Sequence, residues 1–235
     1  MIKVIKSDER HVADFGWLKT RWHFSFDQYY DPSNMHWGAL RVFNDDVVQP
    51  GKGFGRHPHR DMEIVTYVLE GELEHQDSAG NRGVIRPGEV QVMSAGTGIQ
   101  HSESNHSKER PVHFLQLWIL PRTDGRKPRW EQREFPRQAR AAKLLPVVSG
   151  GNLSGTMVIN QDAEIYVSAL GPGEKVRHTS RRNRKAYLFV IRGRINLNGQ
   201  ALAAGDQGRI ADERQLDIEA AENSELILLD LPEVE

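Results

Sequence analysis

Two short clusters of side chains that commonly bind metal ions stand out in the sequence. The first is His57-Pro58-His59 and the second is His101-Ser102-Glu103, so the candidate ligands in each cluster are two residues apart. Because residues i and i+2 of a β-strand point to the same face, each pair can project toward one point. Imidazole and carboxylate suit iron, copper, nickel and manganese at least as well as zinc. The spacing predicts one divalent metal ion held by His57, His59, His101 and Glu103.

The glycines beside both clusters agree with a crowded centre. Gly51, Gly53 and Gly55 precede the first cluster, and Gly96 and Gly98 precede the second. Glycine allows tight turns and a close approach of the backbone to a bulky group.

The composition excludes several classes of protein and of metal site. The 235 residues include no cysteine, which excludes disulfides and thiolate ligands. The formal net charge is -1, so no overall field attracts nucleic acid or an anionic membrane. There is no apolar run of about 20 residues and no signal peptide pattern, so we expect a cytoplasmic protein without a membrane partner.

Short runs of β-branched and aromatic residues predict strands along the whole first half. Turn residues separate them about every 8–12 positions, which is typical of an all-β barrel or sandwich. Asn44-Asp45-Asp46 predicts a turn within the first of these runs. The predicted strands cover 38–49, 62–69, 72–78, 84–93 and 111–120.

The second half weakly repeats the first. Each half contains a predicted strand, then a glycine, then a strand of alternating apolar and polar residues: "YVLEGELEH" at 67–75 and "FVIRGRINL" at 189–197. We therefore predict two tandem β-barrels. Domain 1–125 holds the metal, 126–146 is a proline-containing linker, and domain 147–235 lacks paired histidines and metal.

The sequence also predicts positions for other residues around the site. The aromatic-rich segment 14–34 predicts a cover over one barrel end, which can also form a wall for a planar substrate. Glu63, four residues beyond His59, is expected on the same strand face, near the site but outside the ligand set, with a fifth ligand, a partner of a ligand and a substrate base as its alternative roles. Trp118 and Met93 are expected in the core. His75, His106 and His113 lack the paired spacing, so loop or hydrogen-bonded core positions are expected for them.

Around the two clusters of predicted ligands, the chain resembles the pirin family of the cupin superfamily. The first cupin motif corresponds to His57, His59, Glu63 and Gly71, and the second to His101 and Asn105. The runs "GFGRHPHRDMEIVTYVLEGELEHQDSAGN" and "QVMSAGTGIQHSESN" carry the resemblance to pirins. One departure is Trp22-His23, where pirins more usually have His-Thr.

The resemblance implies a bicupin (two cupin barrels) with one metal, usually iron, in the N-terminal barrel. It implies quercetin 2,3-dioxygenase activity, with a flavonol and O2 as partners and Glu103 as the base for the substrate hydroxyl. We expect a monomer that does not bind nucleic acid. A metal-dependent regulator without enzymatic activity, as described for eukaryotic pirins, is the alternative hypothesis, and a cupin isomerase is a third.

Overall fold

The computed structural model describes residues 1–234, which fold mainly into short antiparallel strands. The first twelve strands are β1 (Ile2–Ile5), β2 (His11–Asp14), β3 (Leu18–Trp22), β4 (Leu40–Val48), β5 (Gly53–His59), β6 (Glu63–Glu70), β7 (Leu73–Asp77), β8 (Arg82–Ile85), β9 (Glu89–Ser94), β10 (Ile99–Asn105), β11 (Val112–Ile119) and β12 (Arg129–Glu134). The remaining ten are β13 (Leu145–Ser149), β14 (Met157–Val158), β15 (Glu164–Leu170), β16 (Lys175–Thr179), β17 (Arg184–Arg192), β18 (Arg194–Leu197), β19 (Gln200–Ala203), β20 (Gln207–Ala211), β21 (Gln215–Ala220) and β22 (Ser224–Pro232). Short 3-10 turns cover Ser7–Glu9 and Arg137–Arg140. Within residues 1–234 the structure contains no helix with the length and apolar character that crossing a membrane requires.

Each half of the chain builds one seven-stranded and one four-stranded sheet. In the N-terminal half the orders are β12-β9-β6-β11-β4-β3-β2 and β5-β10-β7-β8. In the second barrel they are β1-β20-β17-β22-β15-β13-β14 and β16-β21-β18-β19, where β1 comes from the N-terminal end of the chain. The same arrangement therefore occurs twice, and the predicted all-β fold of two tandem barrels is confirmed.

Two glycines show how closely the halves repeat each other. Gly71 follows β6 with φ +77, and Gly193 follows β17 with φ +78. A Cβ at Gly71 would meet the carbonyl oxygen of Pro111, and one at Gly193 would meet that of Asn223. Both positions need glycine for the same two reasons, a left-handed backbone and a close neighbouring chain.

The two seven-stranded sheets pack against each other through one large apolar core. Phe43 and Tyr67 from the first half meet Tyr187 and Phe189 from the second. Aromatic rings bury large areas, so they contribute strongly to the stability of such a contact. The ring centroids of Phe43 and Tyr187 are 5.1 Å apart. The barrels are therefore joined by a largely apolar interface.

The segment between the halves is more ordered than its sequence suggests. Within 126–146, β12 pairs with β9 of the N-terminal sheet. Arg140 then donates hydrogen bonds to the Tyr67 hydroxyl at 2.6 Å and to Glu225. At the other end of the chain, β1 is an edge strand of the C-terminal sheet, where it pairs with β20. The domain boundaries at 125 and 147 stay a prediction, and residue 235 lies outside the described range.

The turn predicted at Asn44-Asp45-Asp46 is wrong. Strand β4 continues through these residues, pairing with β3 on one side and β11 on the other. All three polar side chains are buried. Pairing on both edges keeps the backbone extended despite residues that favour turns when exposed.

Candidate metal centre

Strands β5 and β10 bring three histidines together inside the N-terminal barrel. The strands are antiparallel, with His57 opposite His101 and His59 opposite Ile99. The ring centroid of His57 lies 4.9 Å from that of His59 and 4.4 Å from that of His101. The rings of His59 and His101 are 4.8 Å apart. One nitrogen of each ring lies within 4.8 Å of one nitrogen of the other two, a separation that suits ligands of a single ion.

Glu103 follows His101 by two residues on β10 and is buried beside it. Its Oε2 accepts a hydrogen bond of 2.6 Å from Nε2 of Gln116 on β11, while its Oε1 has no partner. A carboxylate oxygen of Glu103 and nitrogens of His75 and His101 form a second group within 4.8 Å. His101 belongs to both groups and so links the carboxylate to the other two predicted ligands.

A local irregularity between β5 and β10 accommodates this arrangement. The register shifts between His101 and Glu103, so that Glu103 lies opposite Phe54. At this point Gly53 packs directly on β10, and a Cβ there would overlap the backbone of Glu103 and Ser104. Of the glycines predicted to allow a close approach, Gly53 does so, because strands β5 and β10 lie too close there for a side chain.

A histidine and an aspartate behind the site orient His101. Nδ1 of His75 lies 3.4 Å from Nδ1 of His101, and Nε2 of His75 lies 3.3 Å from Oδ2 of Asp77. If Nε2 of His75 donates to Asp77, its Nδ1 accepts from His101, which leaves the Nε2 lone pair of His101 free. Such partners commonly fix the tautomer of a ligating histidine. Both ring nitrogens of His75 are then engaged, so it positions His101 instead of joining the ligand set.

The electrostatics favour neutral imidazoles. Burial lowers the pKa of His101 to about 3, and neighbouring His57 and His75 act in the same direction. Burial and the nearby His101 and His57 likewise lower the pKa of His59 to about 4. Neutral imidazole is the form that binds a metal. His57 also commits Nδ1 to the carbonyl oxygen of Gly55 at 2.7 Å, so its Nε2 is the free nitrogen.

Unpartnered buried atoms provide a test of whether these residues fit a metal ion. Nε2 of His59, Nε2 of His101 and Oε1 of Glu103 are all buried without a hydrogen-bond partner. A buried polar atom without a partner costs free energy that a coordinate bond would recover. The donor set of imidazole nitrogens and one carboxylate oxygen therefore fits a divalent transition metal.

A cavity of about 340 Å³ opens beside the histidines. Its volume is in the range of small-molecule sites. His57, His59 and Glu103 are among its polar lining residues, together with Asn44 and Asp46 of β4. Burial raises the pKa of Asp46 to about 7, with the nearby carboxylates of Asp45 and Glu103 acting in the same direction. The aromatic side chains that line the rest are Phe15, Trp17, Trp22, Phe26, Phe54 and Trp118.

Comparison with known proteins identifies the family. The family model described as Pirin matches residues 5–119, and the one described as quercetinase C-terminal cupin domain matches residues 146–231. The chain belongs to the pirin family. This pirin is 47% identical over 235 residues to quercetin 2,3-dioxygenase from Escherichia coli K12, covering 100% of both chains. It is 44% identical over 224 residues to a pirin-like protein from Caulobacter vibrioides, covering 95% of this chain and 96% of that protein.

Solved structures of a bacterial pirin and of another Escherichia coli protein have the same fold. The bacterial pirin YhhW from Escherichia coli in complex with nickel(II) superposes on this pirin with a TM-score of 0.94 and 45% identity, covering 100% of both chains. YhaK from Escherichia coli gives a TM-score of 0.76 at 29% identity, covering 94% of this chain and 97% of that one. The predicted bicupin fold is thereby confirmed, and the nickel complex supports a divalent metal in this family.

The aromatic segment 14–34 of this pirin divides between two environments. Phe15, Trp17, Trp22 and Phe26 line the cavity, as the aromatic-wall prediction expects. Phe24 instead packs in the core between the barrels. Trp118, predicted as core, also lines the cavity, where its ring meets that of His59 edge-on at 4.9 Å.

Glu63 lies outside the ligand set, but it does not share a face with His59. Strand β5 ends at His59, and Asp61 with φ +45 turns the chain before β6 begins. The Glu63 carboxylate accepts a hydrogen bond of 2.6 Å from Ser94 and another from the backbone of Asn160 in the second half. Glu63 therefore belongs to the contact between the halves, and burial raises its pKa.

Three further histidines, His106, His113 and His178, pair with carboxylates outside the proposed metal site. His106 lies just beyond β10 and pairs with Glu74 at 3.0 Å, while His113 pairs with Asp45 at 2.6 Å. In the second half, His178 is buried against Asp230 at 2.7 Å. Among residues 1–234, the groups of three metal-binding side chains occur only in the N-terminal barrel.

Four residues at or beside the site were not predicted to belong to it: Asp77, Gln116, Asn44 and Asp46. His75 and Asp77 have the same two-residue spacing as the predicted ligands, so this signal was present in the sequence. Its meaning depends on β7 lying beside β10, which local patterns do not specify.

Proposed function

We propose that this pirin is a metal-dependent dioxygenase that cleaves a flavonol such as quercetin. The observation that carries the proposal is the convergence of unpartnered histidine and glutamate atoms at the end of an aromatic cavity. The names of its relatives support the same activity. In the flavonol reaction, both atoms of O2 enter the substrate, the central ring opens and carbon monoxide leaves.

His57, His59, His101 and Glu103 are the residues that would hold the metal. Fe(II) is our preferred ion, with copper, nickel, manganese and zinc as alternatives. When bound, such an ion supplies a Lewis acid and a path for electrons between substrate and O2.

The protein's own groups would prepare the substrate. Trp22 on β3 and Trp118 on β11 both line the cavity and offer flat apolar surfaces to an aromatic ring system. This wall also limits water near the reacting carbon atoms. The reacting end of the substrate would face the histidines, because the polar atoms of the cavity lie there.

Glu103 is the proposed base. Its Oε1 has no partner, while Gln116 holds Oε2 through a hydrogen bond. When it is not bound to the ion, Oε1 would accept the proton of the hydroxyl on the central ring, which makes that ring electron-rich enough to react with O2. Gln116 keeps the carboxylate oriented during the transfer.

Oxygen uptake with quercetin provides the test. We expect iron-, copper- or nickel-loaded protein to consume equal amounts of O2 and quercetin and to release carbon monoxide. Metal-free protein and the Glu103→Gln variant should lose most of this activity, whereas His106→Gln, away from the cavity, should retain it. Turnover that survives in rigorously metal-free protein would contradict the proposal.

Failure with every metal would also contradict it. If several flavonols are not consumed by any metal-loaded preparation, the dioxygenase proposal is wrong. Capture of a protein partner that depends on bound metal would then favour the regulator hypothesis.

A further inference from the structure

Two buried acceptors on β4 face the cavity but are not needed to hold the metal. Asn44 and Asp46 are two residues apart and are 4% and 2% exposed. Both line the cavity, and Oδ1 of each has no hydrogen-bond partner. Leaving polar side chains buried and unpaired costs free energy. Because both residues also line the cavity, their remaining polar atoms mark a place where a ligand can form hydrogen bonds.

Asn44 begins a polar row that crosses the inside of the barrel. It lies opposite Gln116, which lies opposite Thr66, which in turn lies opposite Gln91. Of these four residues, Asn44 and Gln116 line the cavity. The side-chain amide of Gln116 is already bonded to Glu103. Asn44 therefore brings to the cavity an amide that bonds to no other side chain, beside the Gln116 that holds the proposed base.

We propose that Asn44 and Asp46 form a subsite that accepts hydrogen bonds from aryl hydroxyl groups of the substrate. The aromatic walls recognise flat rings without regard to their substituents, whereas fixed acceptors distinguish hydroxylated rings from bare ones. This inference rests on the proposed function and adds a preference within the flavonols. Flavonols with hydroxyls on the outer rings bind better than those with the central-ring hydroxyl alone.

Anaerobic binding to the metal-loaded protein tests the subsite without turnover. The probes are quercetin and 3-hydroxyflavone, which keeps the central-ring hydroxyl and lacks the others. Tryptophan fluorescence quenching gives both dissociation constants. We expect Asn44→Leu and Asp46→Val each to weaken quercetin binding by about tenfold, the equivalent of one lost hydrogen bond. The dissociation constant for 3-hydroxyflavone should change by less than about twofold in the same variants.

Matched variants separate recognition from a general disturbance of the barrel. Asn44→Asp keeps an acceptor and should retain the preference for quercetin. Thr66→Val lies in the same polar row but does not line the cavity, and it should also retain the preference. Equal weakening of both flavonols by Asn44→Leu, or no weakening of either, would overturn the subsite.

The two proposals fail in different ways. If wild-type protein binds quercetin more tightly than 3-hydroxyflavone but consumes neither, the dioxygenase proposal is wrong and the subsite stands. If both flavonols are consumed and bound equally well, the subsite is wrong and the dioxygenase proposal stands.

Discussion

Nδ1 of His75 lies 3.4 Å from Nδ1 of His101, and the other nitrogen of His75 faces the carboxylate of Asp77 at 3.3 Å. This line of three residues crosses from β7 to β10 and ends at the free Nε2 of His101. It fixes which nitrogen of His101 points toward the proposed metal. The site thus depends on a strand that contributes no ligand.

Replacing His75 tests this positioning role. His75→Phe keeps the ring that stacks on Trp130 at 5.8 Å and removes both ring nitrogens. We expect the affinity for metal to fall by about 10–100-fold, as for other partners of ligating histidines. Competition with a chelator measures this, and His106→Gln is the control. Unchanged affinity in a folded His75→Phe protein would show that His101 needs no orienting partner.

The close approach at Gly53 provides a second prediction. Gly53→Ala should destabilise the metal-free protein by about 1–3 kcal/mol, since a Cβ overlaps the backbone of β10. It should also weaken metal binding by separating the two ligand strands. Gly55→Ala is the matched control, because no atom lies within 4 Å of a Cβ there. Denaturant unfolding measures both variants, and equal effects would contradict the account.

The pH dependence of the metal-free protein follows from the lowered pKa of His101, about 3 against 6.5 ordinarily. Between these values the unfolded chain binds a proton that the folded protein does not, so stability falls as pH drops below 6.5. Asp46, whose raised pKa is about 7, acts with the opposite sign. Comparison of wild type with His101→Asn separates the two contributions.

We expect the melting temperature of His101→Asn to fall less than that of wild type as pH drops from 6.5 toward 4. Both proteins retain Asp46, so the difference between their curves reports the imidazole. Parallel curves would mean that His101 is not held neutral in the folded protein.

Arg140 joins the connecting segment to both barrels. It is buried, pairs with Glu225 of the second half and bonds to Tyr67 of the first. Arg140→Met leaves the buried Glu225 carboxylate with only the more distant, exposed Arg137 at 4.0 Å, so we expect a loss of about 3 kcal/mol. Arg140→Met with Glu225→Leu should recover part of this loss. Additive losses in denaturant unfolding would contradict the coupling.

The strands of the first half were largely predictable because their patterns are local. Runs such as 62–69 and 111–120 alternate or cluster apolar residues between turn signals, and they became β6 and β11. The ligand pairs were detectable for the same reason, since their spacing lies within single strands. Whether the four predicted ligands bind one ion stays a prediction.

The features that could not be predicted from the sequence depend on contacts between residues that are far apart along the chain. Strand β12 has few apolar residues, and only its pairing with β9 makes it a strand. Asn44 and Asp46 have turn-forming side chains, yet they occupy a buried strand and line the cavity. A conflict between local preference and fold at such positions is typical of functional sites.

Metal content is the most direct measurement of the central claim. Elemental analysis and chelator competition should show one tightly bound divalent ion per wild-type chain. His59→Ala, His101→Ala and Glu103→Ala should each bind it far more weakly while remaining folded, and His113→Ala should bind it normally. If the three variants retain the ion as tightly as wild type, the centre described above does not hold the metal.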